Sequence, residues 1–199
     1  MSYFESLPKE LLSEILIYLD EDTLEKFEKF IDIKLTINSK LFWFNKLDYD
    51  NLEYYVPFLK VAEERDYLKD YHEILMMNKH VHEFTQEFIR LRGTFNLIIS
   101  SSITLKDLIY SNDLKRIKEV TDINNIDLNI ESINTFYIRY KNGNYICIKE
   151  LYDFNRTVKP KIEISQKEFM MLLSKLEIAG LSVYTFSNLE ELYYDEVEQ

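Results

Sequence analysis

Apolar residues near the start of the chain recur at helical spacing. Leu11, Ile15, Leu16 and Leu19 fall at i, i+4, i+5 and i+8, a broad stripe on one side of a helix. Ser6 is a candidate N-cap, and Pro8 falls in the first turn, where its missing N–H costs little. Asp20 to Asp22 interrupt the stripe. Asp22 with Glu25 reads as a capping box for a second helix carrying Leu24, Phe27, Phe30 and Ile31. A third short helix is expected near 38–47, with Leu41, Phe42, Trp43 and Leu47. Helices with apolar groups on several sides need a neighbouring domain or an outside partner to cover them.

Residues 48–131 read as a helical middle region, broken at Pro57. Within it Val81, Phe84, Phe88 and Leu91 keep helical spacing up to Gly93, a fitting C′ residue. Further on the period changes from helix to strand. The stretch "FYIRYKNGNYICIKEL" places Asn142-Gly143, the favoured type I′ pair, between two alternating runs. That hairpin pairs Lys141 with Asn144 and Tyr140 with Tyr145. One face then carries Phe136, Ile138, Tyr140, Tyr145 and Cys147, and the other Tyr137, Arg139, Lys141, Ile146 and Ile148. A strand over 159–164 leads to Ser165 and Glu168, a second capping box. Phe169, Leu172, Leu173 and Leu176 form the buried stripe of a helix ended by Gly180. A last strand over 181–186 and a short acidic tail helix capped by Ser187 complete the pattern. The expected class is α+β. Its parts are a three-helix N-terminal motif (1–47), a helical middle (48–131), and an antiparallel module (132–199) of a hairpin and one or two further strands covered by one helix.

With 199 residues and 46% apolar content the chain is long enough for a substantial core. Three Gly and three Pro leave no room for a long flexible linker. The single cysteine, Cys147, cannot form an internal disulfide, and the N-terminus lacks the order of a signal peptide; cytoplasm or nucleus is expected. Net charge is −11, which opposes nucleic-acid binding by the surface as a whole. The distribution is uneven: residues 132–177 hold eight Lys or Arg against five Asp or Glu, a basic island of +3.

The stretch "LPKELLSEILIYLDEDTL" followed by "LFWFNKL" resembles an F-box over about the first 47 residues. Leu7, Pro8, Glu10, Leu11, Ile15, Leu16, Leu19, Leu24 and Trp43 match the family pattern. The resemblance implies a three-helix motif that inserts into the Skp adaptor of a Skp–cullin–F-box ubiquitin ligase. Leu7, Pro8, Leu11, Ile15, Leu16, Leu19, Leu24 and Trp43 would be its partner-binding set, working as apolar anchors in a groove. A target bound elsewhere on the chain would be held beside the ligase, with proximity as the mechanism.

A second stretch, "YICIKELYDFNRTVKPKIEISQKEFMMLLSKL", resembles the single-stranded-DNA-binding core of the positive cofactor four coactivator family over about residues 134–178. Ile148-Lys149-Glu150, Lys159-Pro160, Ile164-Ser165 and Phe169 carry the likeness. It implies a twisted sheet backed by a helix, often dimeric. Cations interleaved with aromatics suit single strands, the cations meeting phosphates and the rings stacking on bases. Arg139, Lys141, Lys149, Lys159 and Lys161 would be the phosphate contacts, with Tyr137 or Tyr145 stacking.

Catalysis is not expected. No Gly-rich phosphate loop is present, and Cys147 sits mid-strand with no His at a telling distance. His80 and His82 point to different faces of a helix, so no metal and no cofactor is anticipated. Three functions remain open: a Skp-docking adaptor with a protein target, a single-stranded nucleic-acid or transcription-related protein, and a structural homo-oligomer.

Overall fold

A computed structural model describes residues 7–60, 66–91, 94–99, 104–121, 134–141, 143–151, 161–181 and 187–188. The fold is mixed helix and antiparallel sheet, and it divides into two compact units at Lys79/His80. The division falls inside one helix and coincides with neither boundary expected from the sequence.

Unit 1 is helical. It opens with α1 (Lys9–Leu16), α2 (Glu21–Phe27), α3 (Ile31–Ile37) and α4 (Lys40–Tyr49), four short helices where three were expected. Pro8 is the N-cap of α1, and Ser6 lies outside the described residues. The cap of α2 is Asp20, two residues earlier than the sequence suggests. Its carboxylate accepts the Thr23 N–H at 2.8 Å and satisfies a donor the helix leaves free. The run carrying Phe27, Phe30 and Ile31 is not one helix: Phe30 takes extended backbone and α3 begins after it.

At the end of α4, Asn51 adopts φ +58°, a left-handed value that Asn tolerates. Leu52 N–H then donates to Leu47 O at 2.7 Å and Asn51 N–H to Asp48 O at 3.1 Å, the double bond pattern of a Schellman stop. Leu47 and Leu52 are both buried, which adds the apolar contact such stops usually carry. A 3₁₀ turn (Glu53–Tyr55) and α5 (Val56–Lys60) follow, so Pro57 sits in the first turn of α5 and ends nothing. The 25-residue α6 (Tyr67–Leu91) comes next. Trp43 is the centre of the unit. It is fully buried, donates its indole N–H to Ile37 O at 2.5 Å, and lies 5.0 Å from both the Phe42 and Tyr71 rings.

Unit 2 is built on a five-stranded antiparallel sheet, order β4-β3-β2-β1-β5. The strands are β1 (Thr94–Ile99), β2 (Asn134–Lys141), β3 (Asn144–Leu151), β4 (Lys161–Ile164) and β5 (Ser187–Asn188). The β2–β3 hairpin has the expected register, with Lys141 opposite Asn144 and Tyr140 opposite Tyr145; Gly143 takes φ +86° in its turn. β1 is not anticipated by the sequence reading. It comes from the stretch expected to be helical and supplies Phe95, Leu97 and Ile99 to the core.

One face of the sheet is packed under helices: the last turns of α6, then α7 (Leu105–Tyr110), α8 (Leu114–Thr121) and α9 (Gln166–Ile178). Phe84, Phe88, Phe95, Tyr145 and Phe169 make its aromatic centre, with Phe169 4.5 Å from Tyr145 and 5.2 Å from Phe88. α9 has the capping box expected of it. Ser165 accepts Glu168 N–H at 3.1 Å, and the Glu168 carboxylate accepts Ser165 N–H at 2.8 Å. Its predicted stripe, Phe169, Leu172, Leu173 and Leu176, is fully buried. Gly180, at φ +79°, ends it as a second Schellman stop: Leu181 N–H donates to Leu176 O and Gly180 N–H to Glu177 O, both at 2.9 Å. Of the strand anticipated over 181–186, positions 182–186 lie outside the described residues and Leu181 belongs to the stop of α9; β5 pairs with β1 just beyond them.

Candidate protein-docking surface

Eight residues make α1, and they carry more apolar side chains than one helix face can bury. Leu12 and Leu16 are the pair turned into unit 1, at 1% and 0% exposure. Leu11 and Ile15, one helical turn apart, stay out at 47% and 40%. Exposed Pro8 precedes them, half-buried Leu7 and Leu19 flank the helix, and exposed Tyr18 follows. Leu11 and Ile15 therefore form a short apolar ridge that no described residue of unit 1 seals. Single exposed leucines are common on protein surfaces; two bulky aliphatic groups stacked on consecutive turns beside a proline are a patch.

Three residues of the expected partner-binding set belong elsewhere. Leu16, Leu24 and Trp43 are completely buried in unit 1. Leu16 sits on the inward stripe of α1, Leu24 on that of α2, and Trp43 is fixed by its bond to Ile37 O. They hold the helices that present the ridge and cannot be part of it.

The nucleic-acid set is divided by the sheet. Backbone register makes positions 137, 139, 141, 161 and 163 alternate with buried Phe136, Ile138 and Ile164; Arg139 is half-buried and Glu163 exposed, and the side chains of Tyr137, Lys141 and Lys161 lie outside what the structure describes. Position 149 pairs with position 136 in the β2–β3 register, and the Lys149 side chain lies outside what the structure describes. Tyr145 is 1% exposed, its ring packed in the core against Phe88 and Phe169 and so closed to a base. Lys159 lies outside the described residues.

No family model matches the chain, and neither a curated protein nor a solved structure does.

Several titratable groups were missed from sequence because they are apolar-sited. Lys46 is buried in α4. Its ammonium pairs with Asp50 at 2.9 Å and lies over the Tyr49 and Tyr71 rings, at 5.7 and 5.4 Å from their centres. Tyr71 donates at 2.5 Å to the same Asp50 oxygen, Oδ2, and its own phenol is pushed up, chiefly by burial. The i, i+4 spacing of Lys46 and Asp50 is the one sequence signal for this network. His72, on α6, meets Glu21, 51 residues away, at 2.5 Å. His80 and His82 are exposed. Among the described residues no three His, Cys, Asp or Glu groups come together as a metal site would require, and no helix is long and apolar enough to cross a membrane.

In unit 2, Lys175 is buried on α9 and donates to Ile109 O and Ser111 O, the carbonyls at the end of α7. No carboxylate pairs with it among the described residues. Burial pushes its pKa from the ordinary 10.5 down to about 8. Between those values the unfolded chain keeps the proton that the folded chain has released. Unit 2 is therefore expected to gain about 2 kcal/mol of stability from pH 7 to pH 9.5. The gain stops near pH 10. The Tyr145 phenol, buried with no hydrogen-bond partner among the described residues, is pushed up to about 12, so above pH 10 the unfolded chain loses its proton first and stability falls. Urea unfolding read from the methyl NMR signals of Ile138 and Leu172 checks both limbs. The rise should vanish in Lys175→Met; a rise that persists there would assign it to another group.

Proposed function

We propose that the chain is an F-box-like adaptor. The outer ridge of α1 docks on the Skp adaptor of a cullin-type ubiquitin ligase, and the rest of the chain carries a target to it. One observation carries the reading: Leu11 and Ile15 are exposed on a helix whose adjacent stripe, Leu12 and Leu16, already anchors it to unit 1. A helix held by its own core through one stripe and offering a second is suited to apolar helix-in-groove docking. The contact set is accordingly Leu7, Pro8, Leu11, Ile15 and Leu19. The role is that of a scaffold with no chemistry of its own.

Isothermal titration of the full chain with the Skp adaptor tests it. Leu11→Asp with Ile15→Asp is expected to weaken binding at least tenfold (~1.4 kcal/mol). Buried Trp43 should keep its emission, because neither side chain belongs to the core. An intact, folded chain that shows no affinity for the adaptor overturns the proposal. If the chain instead proves dimeric by light scattering and Leu11→Asp makes it monomeric, the ridge serves self-association.

A further inference from the structure

The end of α1 leads into an open groove of about 480 Å³ in unit 1, distinct from the Leu11–Ile15 ridge. Tyr18 and Tyr49 form one wall. Their rings meet edge to face at 4.9 Å, and both remain about half exposed or more. Tyr71 and Leu75 of α6 line it as well. Its rim is the start of α2, where Asp20, Glu21 and Asp22 follow one another, and Asp50 lies deeper beside Lys46. Four carboxylates against one ammonium leave the groove strongly negative.

The chain itself displays the chemistry this lining supports. Lys46 packs its ammonium over the rings of Tyr49 and Tyr71 and closes on Asp50. A cation that has a tyrosine face on one side and a carboxylate on the other is held by two attractions that reinforce each other. Tyr18 and Asp22 line the same groove and bring the same two kinds of group, an exposed ring and an exposed carboxylate. Asp20 is engaged by Thr23 and Glu21 by His72, so both are fixed in place as rim charges.

We propose that this groove takes a Lys or Arg side chain from a basic segment of a target protein. The aliphatic stem lies against Tyr18 and Tyr49, and the charge faces Asp22 and Asp20. Stems of this kind pack on apolar surface while their heads stay polar. The net charge of −11 draws cationic partners toward the molecule and repels nucleic acid from the same mouth. This goes beyond adaptor docking, whose contact set shares Leu19 alone with the lining of the groove.

The test uses the full chain and a fluorescein-labelled octapeptide of alternating Arg and Leu, with Gln and Glu replacing Arg in two matched peptides. Anisotropy at low salt should show the Arg peptide binding at least about tenfold tighter than the Gln peptide, and the Glu peptide not binding. Asp22→Lys should weaken the Arg peptide about fivefold, and Tyr18→Ala by a similar factor. Both sites are on the surface, and an unchanged Trp43 emission verifies the fold. Glu163→Lys, an exposed reversal of the same size on β4, should leave the affinity within about twofold. Equal binding of the Arg and Gln peptides overturns the proposal. So does a loss in Glu163→Lys as large as in Asp22→Lys, which would assign the effect to overall charge. Leu11→Asp leaves this assay unmoved, so failure here and failure of adaptor docking are read separately.

Discussion

Replacing Phe169 with Ala is expected to destabilise unit 2 by about 4 kcal/mol. Phe169 is fully buried on α9 and meets three other aromatic rings, those of Tyr145 at 4.5 Å, Phe88 at 5.2 Å and Phe95 at 5.9 Å. These rings arrive from α6, β1 and β3, so the ring of Phe169 is where separate stretches of unit 2 meet. Truncation removes the transfer energy of a phenyl group and leaves a hole that rigid neighbours fill poorly. Each lost edge-to-face or stacked pair adds a fraction of a kcal/mol beyond the buried area. Urea unfolding at pH 7, followed by the Ile138 and Leu172 methyl signals, measures the loss. A cost below about 1.5 kcal/mol would mean the cluster is loosely packed and that α9 is held chiefly by its capping box and Schellman stop.

The same residues mark where sequence sufficed. Asn142-Gly143, the alternation around it, the Ser165–Glu168 box and the Phe169–Leu176 stripe are local signals, each set by neighbours within a few positions. They specified the hairpin register and α9 correctly. β1 was hidden because "TFNLII" is a short apolar run directly after a long helix, and its partner in β2 lies some 40 residues further on. The break at Phe30 was hidden too: apolar residues continue through it with no Gly or Pro to mark a turn.

Faces were harder to read than elements. α1 holds Leu11, Leu12, Ile15 and Leu16, and periodicity cannot say which stripe turns inward. The choice fell to Leu12 and Leu16, once α2 to α4 were placed around them. Likewise the alternation in β3 shows that Tyr145 and Lys149 share a face. That the helices cover that face depends on residues far off in sequence, and it converts a candidate base-stacking ring into core. The ridge proposed for docking was therefore legible in composition, while its membership was decided by packing.

Asp50→Ala is expected to cost unit 1 about 3 kcal/mol, and Lys46→Met at the same ion pair clearly less. The two partners are not equivalent. Lys46 is almost wholly buried, whereas about a fifth of the Asp50 side chain reaches solvent. Removing the carboxylate leaves an ammonium in a largely apolar site, held by the Tyr49 and Tyr71 rings and by the longer-range charge of Asp20. It also orphans the Tyr71 hydroxyl, which donates to Asp50 at 2.5 Å. Removing the lysine instead fills the same space with a flexible apolar side chain, and Asp50 keeps both the Tyr71 hydroxyl and water. The order of the two variants is thus a test of which charge the fold must answer for. Trp43, 5.0 Å from Tyr71, reports it by fluorescence during urea unfolding. If Lys46→Met proves the costlier change, the ammonium is stabilised by the tyrosine rings rather than by Asp50. In that event the Tyr18–Tyr49 wall would outweigh the acidic rim in holding a cationic side chain, and Tyr18→Ala should then weaken the Arg peptide more than Asp22→Lys does.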